Sequence, residues 1–167
     1  EDVRAFLEGA MGRRLAATPR ERVYRELPFG LELESPAGAR LALRGQIDLL
    51  FVDDEGVVHL VDYKHASGAG QDPDAYGFQL RTYALAASQI LPGEAALRVG
   101  IAWLRDRGAP PAMRPIDRGA LAAHGERLAA LGDALTRARA TGRWERLEAP
   151  AACGGCGFVR RCWGARV

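Results

Sequence analysis

The chain has 167 residues, of which 48% are hydrophobic and 26% charged, and this composition is typical of one globular domain with a sizeable core. No stretch approaches the roughly 18 consecutive apolar residues of a membrane span, and the N-terminus lacks the basic and then apolar order of a secretory signal. We therefore expect no membrane association and a cytoplasmic location. The chain starts at Glu1 without Met, so we also expect it to be a piece of a longer protein.

The formal net charge of +2 is unevenly distributed along the chain. Residues 1 to 97 carry nine Arg, one Lys and 15 acidic residues, for a net charge of −5, whereas residues 98 to 167 carry 13 Arg and six acidic residues, for +7. The second part is the better candidate for contacting a polyanion, although a solvated, Arg-rich helix face is an equal alternative. Lys64 is the only Lys among 23 basic residues, which indicates a position where a compact ammonium group is needed.

Residues 2 to 17 have apolar side chains at helical spacing and predict an amphipathic first helix. Residues 22 to 34, 39 to 52 and 57 to 64 have the alternation and the β-branched content of strands. The acidic turn at residues 53 to 56 predicts that the second and third strands pair antiparallel.

The remainder of the chain predicts a helix at 74 to 91, strands at 97 to 104 and 113 to 116, and a long helix at 118 to 141. The last helix carries four leucines that we expect on one buried side: Leu121, Leu128, Leu131 and Leu135. This order predicts an α/β fold with a central mixed sheet flanked by helices. We expect residues 1 to 149 to form the core and residues 150 to 167 to form a Cys-rich tail that packs on it.

Two carboxylates and the single lysine are the candidate catalytic groups. Asp62 and Lys64 lie two residues apart in one strand, so they share a face, and the antiparallel turn brings Asp48 opposite them. Both aspartates interrupt apolar runs, and buried charges need a partner or a metal ion. Oxygen ligands of this kind suit Mg²⁺ and phosphodiester hydrolysis, whereas the simpler alternative is a buried ion pair with Lys64.

Three motifs occur in order with plausible spacing: Gly45-x-x-Asp48, Asp62-Tyr63-Lys64 and Gln79-x-x-x-Tyr83. Together they resemble the RecB-like branch of the PD-(D/E)XK nuclease superfamily, of the kind found in the C-terminal nuclease domain of AddA/AddB-type helicase–nucleases. The resemblance covers roughly residues 20 to 90. The segment Arg25-Glu26-x-Pro28-Phe29 is similar to the acidic entry strand of the same family.

The resemblance implies roles for these residues. Asp48 and Asp62 would hold Mg²⁺ or Mn²⁺ with the Tyr63 carbonyl, Lys64 would be the catalytic lysine, and Glu26 would approach the metal shell. Gln79 and Tyr83, one helical turn apart, would line the site or the DNA strand.

One family feature is absent from the sequence. RecB-like enzymes often carry a metal-site His on the first helix, but no His precedes His59 here, so we expect that ligand upstream of Glu1 or not at all. His59 and His65 are predicted to point away from Asp62, and His124 is predicted to lie on a helix edge.

The spacing Cys153-x₂-Cys156-x₅-Cys162 is typical of metal ligands rather than of a disulfide in a protein without export signals. The tail resembles that of iron–sulfur nucleases in the same superfamily, which implies a [4Fe–4S] cluster whose fourth ligand lies outside this chain. Zinc and a tail without metal remain open alternatives. Arg160, Arg161 and Trp163 could touch DNA or cap the fold.

The sequence therefore predicts a metal-dependent DNA nuclease. We expect it to cut single-stranded DNA as the nuclease module of a helicase–nuclease that acts in double-strand-break repair. The alternatives are a stand-alone iron–sulfur exonuclease of the CRISPR-adaptation type and a catalytically inactive DNA-binding scaffold module.

Overall fold

The structure is a computed structural model that describes residues 1–35, 37–70, 72–91, 95–106, 108–144, 153, 156–159 and 162. Within these residues the chain forms a five-stranded mixed sheet in the order β1-β2-β3-β4-β5. The β3–β4 pair is parallel and the other pairs are antiparallel. The strands are β1 (Val23–Glu34), β2 (Arg40–Val52), β3 (Val58–Lys64), β4 (Leu97–Trp103) and β5 (Arg114–Ile116). The predicted central mixed sheet is confirmed.

Helices cover both faces of the sheet. The α-helices of the described residues are α1 (Asp2–Glu8), α2 (Ala10–Ala17), α3 (Gly77–Ile90) and α4 (Arg118–Thr141). Short 3₁₀ helices are formed by Arg20–Arg22, Pro73–Tyr76 and Leu104–Asp106. None of the helices seen in the described part of the chain is both long and apolar enough to cross a lipid bilayer.

The prediction of a single first helix over residues 2 to 17 is wrong. Gly9 has extended backbone geometry (φ −73°, ψ 177°) and ends α1 where α2 begins. The junction packs against Gly108, and a Cβ atom on Gly9 would lie 2.6 Å from the Gly108 carbonyl oxygen. The break therefore depends on a close approach between segments that are distant in sequence.

The segment before α3 differs from the prediction in a similar way. Residues 74 to 91 do not form one α-helix, because Pro73–Tyr76 is a 3₁₀ turn and α3 starts at Gly77. The Asp72 side chain accepts a hydrogen bond from the Asp74 amide at 2.9 Å and so caps the 3₁₀ turn. The predicted stop at residues 92 and 93 lies outside the described residues.

The core consists of two apolar clusters, one on each face of the sheet. The smaller cluster packs α1 and α2 against Leu49, Phe51 and Val61. The larger cluster packs α3 and α4 against the opposite face, which includes Leu50 and Leu60. Because Asp62 and Lys64 share a face with Leu60, their side chains lie on the α3 side.

Helix α4 buries a different stripe from the one predicted. Leu121 and Leu128 are buried as expected, but Leu131 and Leu135 are 44% and 46% exposed. A Cβ atom on Gly132 would lie 3.1 Å from the Leu41 Cβ, so α4 approaches β2 through a glycine. This close contact turns the two outer leucines away from the sheet.

Candidate active site

The β2–β3 hairpin brings Asp48 and Asp62 together at its open end. The ladder ends at the Leu49–Val61 pair, Asp48 and Asp62 are the next residues of the two strands, and the two carboxylates are close enough to interact electrostatically. Asp48 Oδ2 accepts a hydrogen bond from the Tyr63 amide at 2.9 Å. The juxtaposition expected from the sequence is therefore observed.

Asp62 is a buried carboxylate with incomplete hydrogen bonding. Its residue surface is 1% exposed, and its Oδ2 lies 2.6 Å from Lys64 Nζ. That oxygen nevertheless accepts no well-aligned hydrogen bond from the residues described. Burial raises the pKa of Asp62 above its ordinary value, Lys64 opposes this effect, and the nearby Asp48 adds to it.

Helix α3 holds the lysine from the other side. Gln79 Oε1 lies 3.4 Å from Lys64 Nζ, and Gln79 Nε2 donates a hydrogen bond to the Tyr83 hydroxyl at 2.8 Å. The Tyr76 ring centroid lies 5.2 Å from Lys64 Nζ, within the range of a cation–π contact. The two residues of the Gln79-x-x-x-Tyr83 motif thus form a chain of contacts that ends at the lysine, and Tyr76 is a neighbour that the sequence did not reveal.

Tyr83 connects the site to the long β1–β2 hairpin. It is 7% exposed and makes an edge-to-face contact with Phe29 at a ring centroid distance of 6.0 Å. Burial raises the pKa of Tyr83; the hydrogen bond with Gln79 opposes this, and the charges of the nearby carboxylates add to it. Phe29 covers its cross-strand partner Gly45, where a Cβ atom would lie 2.5 Å from the ring.

The strands bend beside Asp48. Ile47 and Leu49 are two residues apart, yet Ile47 packs in the α3–α4 cluster and Leu49 in the opposite one, so the side-chain alternation is broken between them. On β1, Glu26 has φ +52°, and the β1–β2 ladder skips its pairing with Asp48. A non-glycine residue in this backbone region is strained, and such strain is often found at functional sites.

Glu26 itself is exposed at this bend. Gln46 Nε2 donates a hydrogen bond to the Glu26 carbonyl oxygen at 3.0 Å, which holds the strained residue in place. Among the residues described, no three His, Cys, Asp or Glu side chains gather closely enough to hold a metal ion. The structure therefore does not group Glu26 with the two aspartates, and its role as a ligand stays a prediction.

Tyr63 presents only its backbone to the site. Its side chain lies on the opposite face of the sheet, in edge-to-face contact with Phe6 at 5.4 Å. Burial raises the pKa of Tyr63 to about 12; Arg25 opposes the shift, and Asp48 and Glu26 add to it. The phenol therefore stays neutral at ordinary pH, and the group that Tyr63 can offer a cation is its carbonyl oxygen.

None of the three histidines contacts Asp48 or Asp62. His59 is 2% exposed on the opposite face and stacks on Phe51, and His65 lies on the surface within 3.3 Å of Asp2. The expectation that His124 lies on a helix edge is wrong, because it is 4% exposed and its Nε2 lies 2.9 Å from Thr82 Oγ1. That contact ties α4 to α3.

A second polar cluster, which the sequence did not reveal, lies at the turn end of the same hairpin. Asp53 Oδ2 lies 2.8 Å from both Arg14 Nη2 and His59 Nε2. Asp53 Oδ1 accepts hydrogen bonds from the amides of Glu55 and Val57. Burial acts to raise the pKa of Asp53, but its hydrogen bonds outweigh burial and hold it below its ordinary value.

Cys153 and Cys162 have helical backbone geometry, and Cys156 does not. The Cys156 amide donates to the Cys153 carbonyl at 3.1 Å, and none of the three cysteines forms a disulfide. They are not gathered into a ligand set, as far as the described residues go. The predicted contacts of Arg160, Arg161 and Trp163, and the predicted domain boundary at 149 and 150, lie outside the described residues.

Comparisons with known proteins identify relatives of this chain by sequence and by fold. A family model of the PD-(D/E)XK nuclease superfamily matches residues 1–163. An ATP-dependent helicase/nuclease subunit of Geobacillus thermodenitrificans is 38% identical over 106 residues, which cover 52% of this chain and 8% of that protein. The chain thus spans only a small part of this relative.

Two solved structures share the fold at low sequence identity. A candidate exonuclease from Eubacterium rectale aligns with a TM-score of 0.56 and 14% identity over 99% of this chain and 58% of its own. The protein SSO0001 aligns with a TM-score of 0.50 and 16% identity over 89% of this chain and 64% of its own.

Proposed function

This chain belongs to the PD-(D/E)XK nuclease superfamily, and from that premise we propose that it hydrolyses phosphodiester bonds of single-stranded DNA with a bound Mg²⁺ or Mn²⁺ ion. The centre would consist of Asp48, Asp62, the Tyr63 carbonyl and Lys64, with Gln79 and Tyr83 beside them. The observation that carries the proposal is the buried carboxylate of Asp62, which lies against Lys64 and near Asp48.

The residues fit a hard divalent cation. Asp62 Oδ2 has almost no solvent contact and accepts no well-aligned hydrogen bond from any described residue, which leaves an acceptor position for a ligand. Asp48 disfavours a second negative charge beside it, and a cation would relieve that repulsion. Because the N–H and C=O groups of one strand residue point to the same neighbouring strand, the Tyr63 carbonyl is directed towards Asp48.

The chain's own residues would position the substrate. A bound cation would supply Lewis acidity towards the phosphate. The Lys64 ammonium would donate hydrogen bonds to the attacking water and to a phosphate oxygen, stabilising the charge that develops during hydrolysis. The ion pair with Asp62 Oδ2 at 2.6 Å and the contact with Gln79 Oε1 at 3.4 Å restrict the direction in which that ammonium points.

The proposal also includes a helicase partner and contact with the DNA backbone. The identity to part of an ATP-dependent helicase/nuclease subunit supports a chain that works beside a helicase motor. A role in the repair of double-strand breaks is proposed from the family resemblance of the motifs alone. The positive charge of residues 98 to 167 is consistent with contact to the DNA backbone.

The three cysteines of the tail give the proposed reaction no direct support. The described cysteines do not fit a cluster as they stand, so we assign the cluster no role in the reaction. An iron–sulfur cluster completed from outside this chain stays a prediction. Iron content and a visible absorption band of the anaerobically purified full-length protein would test it, and colourless, iron-free protein would contradict it.

Lys64→Ala tests the proposed reaction. We expect cleavage of labelled single-stranded DNA in Mg²⁺ or Mn²⁺ to fall by about 10²–10³-fold, because a preorganised charge beside the phosphate is lost. The matched control is Arg4→Ala, which removes a cation that is 83% exposed on α1 and should leave the rate unchanged.

Three outcomes separate the possibilities. Cleavage that requires the metal and is lost only in Lys64→Ala supports the proposal. Equal cleavage by Lys64→Ala and wild type would remove the lysine from the mechanism. Cleavage by neither protein, with DNA binding retained, would favour a scaffold module.

A further inference from the structure

A cleft of about 490 Å³ lies between the first turn of α3 and strands β4 and β5. A volume of this size is typical of small-molecule sites. We call it the β4–β5 cleft. Its apolar walls are formed by Leu80, Val99, Ile101, Trp103, Ile116 and Ala120.

The β4–β5 cleft lies beside the candidate active site. Ile101 and Trp103 are the cross-strand partners of Asp62 and Lys64 in the parallel β3–β4 pair. Cross-strand partners share a face, and neighbouring strands are roughly 4.8 Å apart. The wall of the cleft therefore starts one strand away from the carboxylate and the lysine.

Two aromatic rings bridge this distance. The Tyr76 ring carries Lys64 Nζ on its face and meets the Trp103 indole edge to face, with ring centroids 5.6 Å apart. The loop after β3 supports the indole from behind, since a Cβ atom on Gly68 would lie 2.7 Å from it. Trp103 is thus held as a fixed aromatic surface between the lysine and the cleft.

Two arginines, Arg81 and Arg114, and two aspartates, Asp74 and Asp117, also line the cleft. The Arg81 guanidinium folds over the first turn of α3, 3.2 Å from the position of a Cβ atom on Gly77. It makes no ion pair with a carboxylate in the part of the chain that the structure describes. The Arg114 side chain is 63% exposed and contacts Asp74 only at 3.5 Å.

We propose that the β4–β5 cleft binds one unpaired nucleobase of the DNA strand that is cut at Asp48, Asp62 and Lys64. Apolar walls and one aromatic surface suit a base, and the two arginines suit the phosphates on either side of it. A paired base could not enter, so the cleft would select single-stranded substrate. This inference rests on the proposed nuclease function, because it places the base next to the phosphate being cut.

The test compares two strands of equal length, one of normal nucleotides and one made only of abasic sites. Binding is measured by fluorescence anisotropy without divalent cation, so that no cleavage occurs. We expect the 167-residue chain to bind the normal strand about tenfold more tightly, which is the affinity that one stacked base can supply.

Ala120→Phe fills the cleft from the exposed first turn of α4 and should abolish this preference. The control is Ala130→Phe, also exposed and about 15 Å further along the same helix, which should retain it. Both variants are checked for unchanged urea unfolding.

Equal binding of both strands by wild type would overturn the inference, and so would a preference that survives Ala120→Phe. If Ala120→Phe lowers the stability of the full-length protein but leaves DNA binding intact, the cleft is a docking surface for protein side chains. That result would also overturn the inference. Cleavage in Mg²⁺ is scored separately. Base preference without any cleavage would contradict the nuclease reaction alone, whereas cleavage without base preference would contradict the cleft alone.

Discussion

The two ends of the β2–β3 hairpin each hold a mostly buried aspartate near a cation, but the two aspartates are in opposite electrostatic states. At the turn end, Asp53 accepts hydrogen bonds from two amides and contacts Arg14 and His59. At the open end, Asp62 Oδ2 lies against Lys64 and accepts no well-aligned hydrogen bond from the part of the chain that the structure describes, and a second carboxylate lies beside it. A carboxylate whose acceptor positions are all hydrogen-bonded stabilises a fold, whereas a carboxylate with an unused acceptor position is available to a ligand.

The largest effect should come from Asp62→Asn, which removes the charge at the open end and keeps its shape. We expect DNA cleavage to fall by about 10²–10³-fold, because a ligand of the proposed cation is neutralised. The free energy of unfolding should rise, because the folded state no longer buries a poorly compensated charge. Rates and urea unfolding curves measure both effects.

A fall in the free energy of unfolding of Asp62→Asn would contradict this view. It would show that the ion pair with Lys64 more than compensates for burial.

The same substitution at the turn end, Asp53→Asn, should act in the opposite way. We expect a loss of about 1–3 kcal/mol in the free energy of unfolding, because hydrogen bonds to a charged acceptor are weakened and Arg14 loses its partner. Cleavage at saturating DNA should stay within about twofold of wild type, since Asp53 lies at the other end of the hairpin. Urea unfolding and the cleavage rate are measured on one preparation.

An Asp53→Asn protein that is fully stable but inactive would reverse the assignment of the two ends. The turn cluster would then be the functional one.

The pH dependence of stability should differ in sign between the two aspartates. The pKa of Asp62 is raised above 3.8, so protonation favours the folded state. The free energy of unfolding of wild type, relative to Asp62→Asn, should therefore rise as the pH falls through the raised pKa and level off below 3.8.

The pKa of Asp53 is lowered below 3.8, so wild type, relative to Asp53→Asn, should lose stability only as the pH falls below that value. Urea unfolding of the three proteins across the acid range gives both differences. Parallel curves for the two variants would contradict the comparison.

The parts of the site that the sequence predicted depend on strand periodicity and on one turn. The alternation around Asp62 and the four-residue turn at Asp53 were enough to predict that Asp48 lies near residues 62 to 64. The limits of α4 were also predicted correctly, because its cap at Asp117 and its left-handed end at Gly142 are local signals.

The parts that the sequence did not predict depend on contacts between distant segments. The break at Gly9 requires Gly108, and the exposure of Leu131 follows from the approach of Gly132 to Leu41. The bend at Glu26 is a backbone conformation that residue type disfavours, so no propensity argument leads to it. The roles of the site residues remain predictions until they are tested by substitution.

The glycine of the Gly45-x-x-Asp48 motif has a consequence for mutational scanning. Position 45 is exposed on a strand and would ordinarily accept most side chains, but any Cβ atom there would displace the Phe29 ring that covers it. Phe29 in turn packs against Tyr83. Substitutions at this surface position should therefore be poorly tolerated, because they act on the buried Tyr83 through Phe29. A library that also places smaller residues at position 29 should contain the variants that restore function.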